Sequence, residues 1–455
     1  MRISGKMKNV AKISSGTILG QIVSIATLPI ITRIYGAEVI GRWTAIYAIA
    51  IIIVFCCDLG LSQAIMIASD DEVERLYQMV STVSLMICGI AYFISIGYYL
   101  LTGYKIREAV VYSFFVIMYA YTMRQVQTCY TWLNRDKQYN VLMKNPLINY
   151  TSVAFFSIVF GLLEFKEYGY YWGVILGQFF TLVNMKVVLP KKMIYVNTAY
   201  YKHTIHKYIE FVKYQMPSQV STQLRQQLPN LLISALFGNE ILGYFSISQK
   251  LISIPITFIG QALGKVFYQT IAEMKRTGKE IGAFLKRNMN RAMMIAIIPM
   301  ILFAAFGDVA IVVFFGKEYA LGGLISRIIV FRSLFTFLST SLAGIDIVTE
   351  QQKRTFQTCV MQTVLASVSV VAGYYLTNSI IVTVYLIVIT FNLMQIWYFV
   401  KIYKSLGLAA TDYLKSVAMT LLVVAVGAIA LRFVFIQITS AIHIPLFKYL
   451  RSCFV

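Results

Sequence analysis

The chain is built from long apolar runs separated by short polar connections. About 20 mostly apolar residues suffice to cross the hydrocarbon core of a bilayer as a helix. Runs of that kind recur thirteen times between residues 15 and 436, among them stretches near 15–35, 43–67, 322–347 and 416–436. Such a segment must satisfy its backbone internally, as a helix or within a closed barrel. Alternating ten-residue patterns, the mark of a membrane barrel, are absent. The expected fold class is therefore an all-α polytopic membrane protein. Composition agrees: 58% of residues are hydrophobic and 13% charged, against roughly 45–50% and 25% in soluble domains.

The net charge of +21 would suggest nucleic acid if taken alone. Its distribution excludes that reading. With the N-terminus in the cytoplasm, 24 of the 40 basic residues fall in inside segments and 6 (Arg33, Arg42, Lys105, Arg107, Lys166, Lys317) in outside loops. This is the positive-inside pattern of a polytopic membrane protein. The basic N-terminus lacks a small-residue cleavage site and runs into Pro29, so it is expected to remain as a first membrane helix. The six cysteines show no metal spacing and nearly all lie in apolar runs, where reduced thiols are expected.

An internal repeat divides the chain. Tyr35-Gly36-Ala37-Glu38 with Gly41 and Trp43 corresponds, 202 positions on, to Phe237-Gly238-Asn239-Glu240 with Gly243 and Phe245. An even number of predicted spans lies between the copies, so the halves share one orientation. Two six-helix lobes, 1–200 and 201–404, are expected about an axis along the membrane normal. An extra helix and short tail follow at 405–455.

Seven basic residues fall within predicted spans: Arg124, Lys186, Arg225, Lys250, Lys265, Arg327 and Arg332. A cation at a helix centre costs about 2.5–3.5 kcal/mol even on lenient scales, so it faces a wet cavity or a partner, or snorkels. Polar stripes accompany them. In the seventh span Gln215, Gln219, Gln223, Gln226 and Asn230 share a face with Arg225 beside it; in the eighth Ser246, Lys250, Ser253, Thr257 and Gln261 do, with Lys265 on the flank. Interhelical hydrogen bonding would account for lone Ser and Thr, but it does not call for unpaired cations. Buried acids are fewer: Asp58, Asp308 and Asp346. A net-positive lumen rich in amides and hydroxyls is the expectation. Arg and Lys suit phosphate there, and Gln, Ser and Thr suit sugars. Asp58 and Asp346 are candidates for coupling to H⁺ or Na⁺; for Asp58 a helix-breaking cap or an ion pair is the alternative.

Other motifs fail. Gly260-Gln261-Ala262-Leu263-Gly264-Lys265 lacks a spacer and the following Ser/Thr of a phosphate loop and lies in a helix. His203 and His206 are too few to hold a metal and are expected to be solvated in a loop. Neither a metal nor an organic cofactor is called for, and the short outer loops weigh against a polymerase or glycosyltransferase.

The ordered motifs resemble a family. Pro29-Ile30-Ile31-Thr32-Arg33-Ile34-Tyr35-Gly36, Asp58-Leu59-Gly60-Leu61, Arg225-Gln226-Gln227-Leu228-Pro229, Phe237-Gly238-Asn239-Glu240, Gln249-Lys250-Leu251-Ile252-Ser253-Ile254-Pro255 and Phe315-Gly316-Lys317-Glu318-Tyr319 are similar to signatures of bacterial polysaccharide repeat-unit flippases. These are the O-antigen and capsule transporters of the multidrug/oligosaccharidyl-lipid/polysaccharide (MOP) exporter superfamily. The resemblance runs from about residue 10 to 400. It implies two lobes about a cationic cavity and inner-to-outer-leaflet movement of an undecaprenyl-pyrophosphate-linked oligosaccharide. Membrane lipids, a polysaccharide polymerase and a chain-length regulator are the implied partners. Arg33, Arg225 and Lys250 match family positions; Arg124, Lys265 and Arg332 rest on the polar stripes alone. The other readings are a lipid II or multidrug exporter on the same scaffold, or a membrane polymerase.

Overall fold

The computed structural model describes residues 5–188, 190 and 192–441. The helices are α1 Gly5–Cys57, α2 Asp70–Leu101, α3 Ile106–Arg135, α4 Tyr139–Leu162, α5 Lys166–Asn184, α6 Thr198–Lys207, α7 Met216–Phe237, α8 Asn239–Arg276, α9 Gly282–Phe315, α10 Ala320–Ser341, α11 Ile345–Val348, α12 Gln352–Thr377, α13 Ile380–Ser405 and α14 Ala410–Ala441. Among the described residues there is no strand. Among the described residues eight helices are long and apolar enough to cross a membrane, or nine with bent α8 counted as one. The polar helices α3, α5 and α7 occupy further expected spans, and α1 occupies two. The fold class expected from the apolar runs is thus the one observed.

The α1 segment that passes this test is 43 residues long, about twice what a bilayer needs. Its break is at Gly36, with φ 74° and ψ 172°. Gly238, between α7 and α8, has φ 90° and ψ 167°; Gly316, after α9, has φ 108° and ψ 169°. This backbone region is open essentially to glycine alone. A Cβ at Gly36 or Gly238 would meet nothing within 4 Å, so the requirement there is conformational rather than steric. The aromatic-Gly-x-Glu motif is therefore a way of turning one helix into the next. Its third copy, Phe315-Gly316-Lys317-Glu318, falls outside the 202-residue register.

The chain divides into two compact units, 1–242 and 243–455. In the first, α1 packs against α2, α3, α4, α5 and α7, and α4 lies along α5. That packing draws α7 into the unit with α1, so the boundary falls at 242 rather than near 200. In the second, α9 packs on α10 and α14, and α13 on α10, α12 and α14. There α8 meets α10: Ser248 Oγ donates to the Gly322 carbonyl at 2.6 Å, and a Cβ at Gly264 would sit 2.2 Å from the Thr340 carbonyl oxygen. The glycines of the failed phosphate-loop motif thus let two helix backbones approach.

Three expected spans end early, the one expected over 168–190 at Asn184. The helix expected to reach residue 67 stops at Cys57, because Leu59 (φ 50°) and Gly60 (φ 76°) turn the chain into a short 3₁₀ helix, Leu61–Met66. The span expected to reach 347 stops at Ser341, and Gly344 (φ 83°) starts the one-turn α11. Asp58 and Asp346 accordingly stand at helix-breaking turns and not inside membrane helices. His203 and His206 are exposed as expected, but on α6 rather than in a loop. Cys56, Cys57, Cys88, Cys129 and Cys359 are free thiols. Residues 442–455, the expected short tail, lie outside the described residues.

Candidate functional site

The three buried acids decide how the internal charge is spent. Asp58 is 1% exposed. Its carboxylate accepts the Gly60 N–H at 2.9 Å and the Ser62 hydroxyl, which fixes the turn that ends α1. Arg124 of α3, 3% exposed, places Nη1 3.1 Å from the same carboxylate. Its other N–H groups reach Thr128 Oγ1 at 3.3 Å, the Val54 carbonyl at 3.4 Å and Ser62 Oγ at 3.1 Å. Cap and ion pair, the alternative reading of Asp58, are both present.

Asp346 is held in the same manner. Arg354 Nε donates to it at 2.9 Å, Thr355 Oγ1 at 2.5 Å and Tyr398 OH at 2.8 Å. Arg354 also reaches Ser405 Oγ at 3.1 Å. The third acid, Asp308 of α9, is gripped by Arg432 Nη2 at 2.9 Å and Arg327 Nη1 at 3.4 Å. Each buried acid therefore has an arginine. Arg354 and Arg432, which fall outside the seven cations within the expected spans, are both internal partners. Only Asp346 and Arg354, eight positions apart, carried a local signal. Asp308 and Arg432 lie 124 residues apart and carried none.

The remaining expected site residues lie on three helices, α7, α8 and α10, and on α1 before its break. In the first unit, Arg33 is exposed on α1 just before Gly36. On α7, Gln219, Gln223 and Arg225 are half-buried and Gln226 exposed, whereas Asn230 is buried and donates to Gln227 Oε1 at 3.1 Å. The stripe is thus accessible over its first turns and turns inward at Asn230.

In the second unit, Lys250, Gln261 and Lys265 are exposed along α8. Among the described residues neither lysine has a carboxylate within ion-pair distance, and the side chain of Thr257 lies outside the described ones. Arg332 of α10 is half-buried with its guanidinium 4.3 Å from the centre of the Phe391 ring, a cation–π contact. The structure therefore gives the acids and Arg124 to internal pairs and leaves α8 a face of accessible cations and amides. Such a face cannot lie in hydrocarbon and calls for water or an anionic group.

Known proteins agree with this fold. A family model described as polysaccharide biosynthesis protein matches residues 30–321. The amylovoran biosynthesis protein AmsL of Erwinia amylovora is 24% identical over 132 residues, 29% of this chain. The match takes in about a third of the length of that relative, 34%. A lipid II flippase MurJ structure in an inward closed conformation superposes with a TM-score of 0.71 at 12% identity, covering 94% of this chain and 98% of that one. An inward-facing multidrug resistance MATE transporter of the MOP superfamily gives 0.58 at 14% identity, covering 87% and 94%. At such identities the structures establish the fold, while the family model spans well over half of the sequence: the chain belongs to the polysaccharide biosynthesis protein family and has the fold of the MOP-superfamily transporters.

Proposed function

We propose that the protein flips an undecaprenyl-pyrophosphate-linked oligosaccharide, a repeat unit of O-antigen or capsule, from the inner to the outer leaflet of the bacterial inner membrane by alternating access. The observation that carries this reading is the α8 face: Lys250 and Lys265 accessible beside Gln261, without carboxylate partners among the described residues, while Asp58, Asp308 and Asp346 are each neutralised by arginine. Cations with amides suit a pyrophosphate joined to a sugar. An exporter of organic cations would need the reverse, accessible acids among neutralised bases.

The N-terminus is assigned to the cytoplasm on the distribution of lysine and arginine. A polysaccharide polymerase and a chain-length regulator are the proposed downstream partners. H⁺ or Na⁺ is the proposed driving ion. Asp58 and Asp346, already saturated by arginine and hydroxyl donors, are assigned to the architecture and not to that coupling.

Replacing Lys250 by Ala is expected to abolish surface glycan while protein level and membrane insertion persist, with lipid-linked units accumulating in the inner leaflet. Wild-type glycan from both Lys250→Ala and Lys265→Ala would overturn the reading. The MurJ-like fold favours one second reading, transport of lipid II. Under it, loss of the protein would halt peptidoglycan precursor export rather than surface glycan.

A further inference from the structure

Within the second unit, α9, α10, α13 and α14 enclose a groove of about 570 Å³, inside the range of small-molecule sites, about 300–1,000 Å³. Small residues hollow it out. Ala304 of α9 and Ala425 and Ala428 of α14 lie along it, where those two helices pack together. Large ones rim it: Tyr385, Ile429 and Phe433 are all exposed. Each of the four lining helices is long and apolar enough to cross a membrane. An exposed apolar rim on such helices faces lipid chains rather than water.

Two arginines line this apolar groove, Arg327 and Arg432. Arg432 takes both oxygens of Asp308, Nη1 to Oδ1 at 3.1 Å and Nη2 to Oδ2 at 2.9 Å. The Val309 N–H adds a bond to Oδ1 at 2.9 Å. Arg327 stands further off: Nη1 is 3.4 Å from Oδ2, Nε donates to the Ala304 carbonyl at 3.0 Å, and the side chain is 37% exposed. One carboxylate thus meets two guanidiniums, and the surplus positive charge falls on the more exposed of them. Among the described residues Asp308 is the one carboxylate within ion-pair distance of Arg327. Helices α10 and α13 contain no Asp or Glu. Asp412 of α14 is bonded to Lys286 and lies about 30 Å along the helix from Arg432. The sequence after α14 adds Lys448 and Arg451 and no acidic side chain. A surplus guanidinium in apolar surroundings calls for an anion from outside the chain.

We propose that this groove binds an anionic phospholipid of the phosphatidylglycerol kind, with its phosphate on Arg327 and an acyl chain over the alanines. Guanidinium groups match phosphate oxygens in pairs. The apolar length of the groove serves a chain and is of no use to a free phosphate. A surplus of one positive charge favours a singly charged headgroup over a zwitterionic one. The lipid is a resident partner that ties α10 to α14, not the cargo. The proposal needs the helices to span a membrane and is independent of the flippase reading.

The test uses purified full-length protein in detergent, delipidated and then titrated with phosphatidylglycerol or phosphatidylethanolamine of the same acyl chains. Native mass spectrometry counts the bound lipids, and the melting temperature reports their effect. The wild type should hold one phosphatidylglycerol about tenfold more tightly than phosphatidylethanolamine and melt higher with the former. Arg327→Gln leaves both bonds between Arg432 and Asp308 in place, so the lipid-free protein should melt as the wild type does. Its affinity for phosphatidylglycerol should fall about tenfold, to that for phosphatidylethanolamine. Arg327→Lys keeps the charge and should keep the preference. Ala425→Phe fills the groove without touching a charge and should weaken both lipids. The site is overturned if the wild type binds the two lipids equally, if Arg327→Gln keeps the preference, or if Ala425→Phe binds phosphatidylglycerol as the wild type does. Glycerol phosphate, the headgroup without chains, binding as tightly as the lipid would overturn it too.

Discussion

The Asp58 corner of the first unit and the α8 face of the second both carry charge, and they treat it in opposite ways. At the corner, Arg124 and Asp58 are 3% and 1% exposed and meet at 3.1 Å, with Ser62, Gly60 and Thr128 completing the shell. Along α8, Lys250 and Lys265 are accessible and lack any such shell among the described residues. A buried pair returns little net energy for its desolvation, but leaving one partner alone is very costly. An accessible lysine loses little stability when truncated. Charge count alone therefore does not find a binding site in a membrane chain; the fraction left unmatched does.

Breaking the corner should give the largest effect. Arg124→Ala leaves Asp58 as an uncompensated buried carboxylate and should cost about 3–5 kcal/mol, read as a large fall in detergent-extracted yield and melting temperature. Normal accumulation with loss of export would instead return Arg124 to the substrate path. On the α8 face, Lys250→Ala should leave the melting temperature unchanged and cut export by tenfold or more, about 1.4 kcal/mol in transport free energy. A comparable fall in stability for both variants would erase the contrast.

The sequence made the helices legible because apolar length is a local property. All thirteen expected spans fall on helices, with α1 serving as two. The repeated turn was legible too, since Gly36 and Gly238 adopt a conformation open essentially to glycine alone. Its recurrence at Gly316 shows the limit of that signal: the motif marks a corner whether or not it marks a repeat. Helix ends at Cys57 and Ser341 were overrun because apolar residues continue past them, and only Leu59, Gly60 and Gly344 carry the break. The pairing of charges was the least legible part. Asp308 meets Arg327 of a neighbouring helix and Arg432 of α14, and periodicity along one helix says nothing of which helix lies opposite.

The corner has a counterpart whose size can be graded. Asp346 is held by Arg354, Thr355 and Tyr398. Tyr398→Phe removes one donor to a charged acceptor and should cost about 1.5–3 kcal/mol, less than Arg124→Ala because the arginine remains. A melting temperature equal to that of the wild type would mean that the arginine and threonine satisfy the carboxylate alone. Gly238→Ala forces a side chain into a strained backbone region and should cost about 1–3 kcal/mol through conformation alone, as no atom lies within 4 Å of the added carbon.

The smallest effect belongs to charges outside the spans, where solvent screens what the interior does not. Lys275 Nζ and Glu350 meet at 2.6 Å with side chains 45% and 78% exposed, and solvent screens pairs of that kind so that they add little to stability. The hydrogen bond from Lys275 holds the Glu350 carboxyl below its ordinary range. A lowered folded-state value stabilises above the unfolded value, and that stabilisation is lost as pH falls through the folded one. Melting temperatures of wild type and Glu350→Gln should thus differ slightly at neutral pH and converge on acidification below the carboxylate range. A difference that grew instead as pH fell would mean that the protonated carboxyl is the stabilising form, and that this surface pair behaves more like the buried ones than its exposure allows.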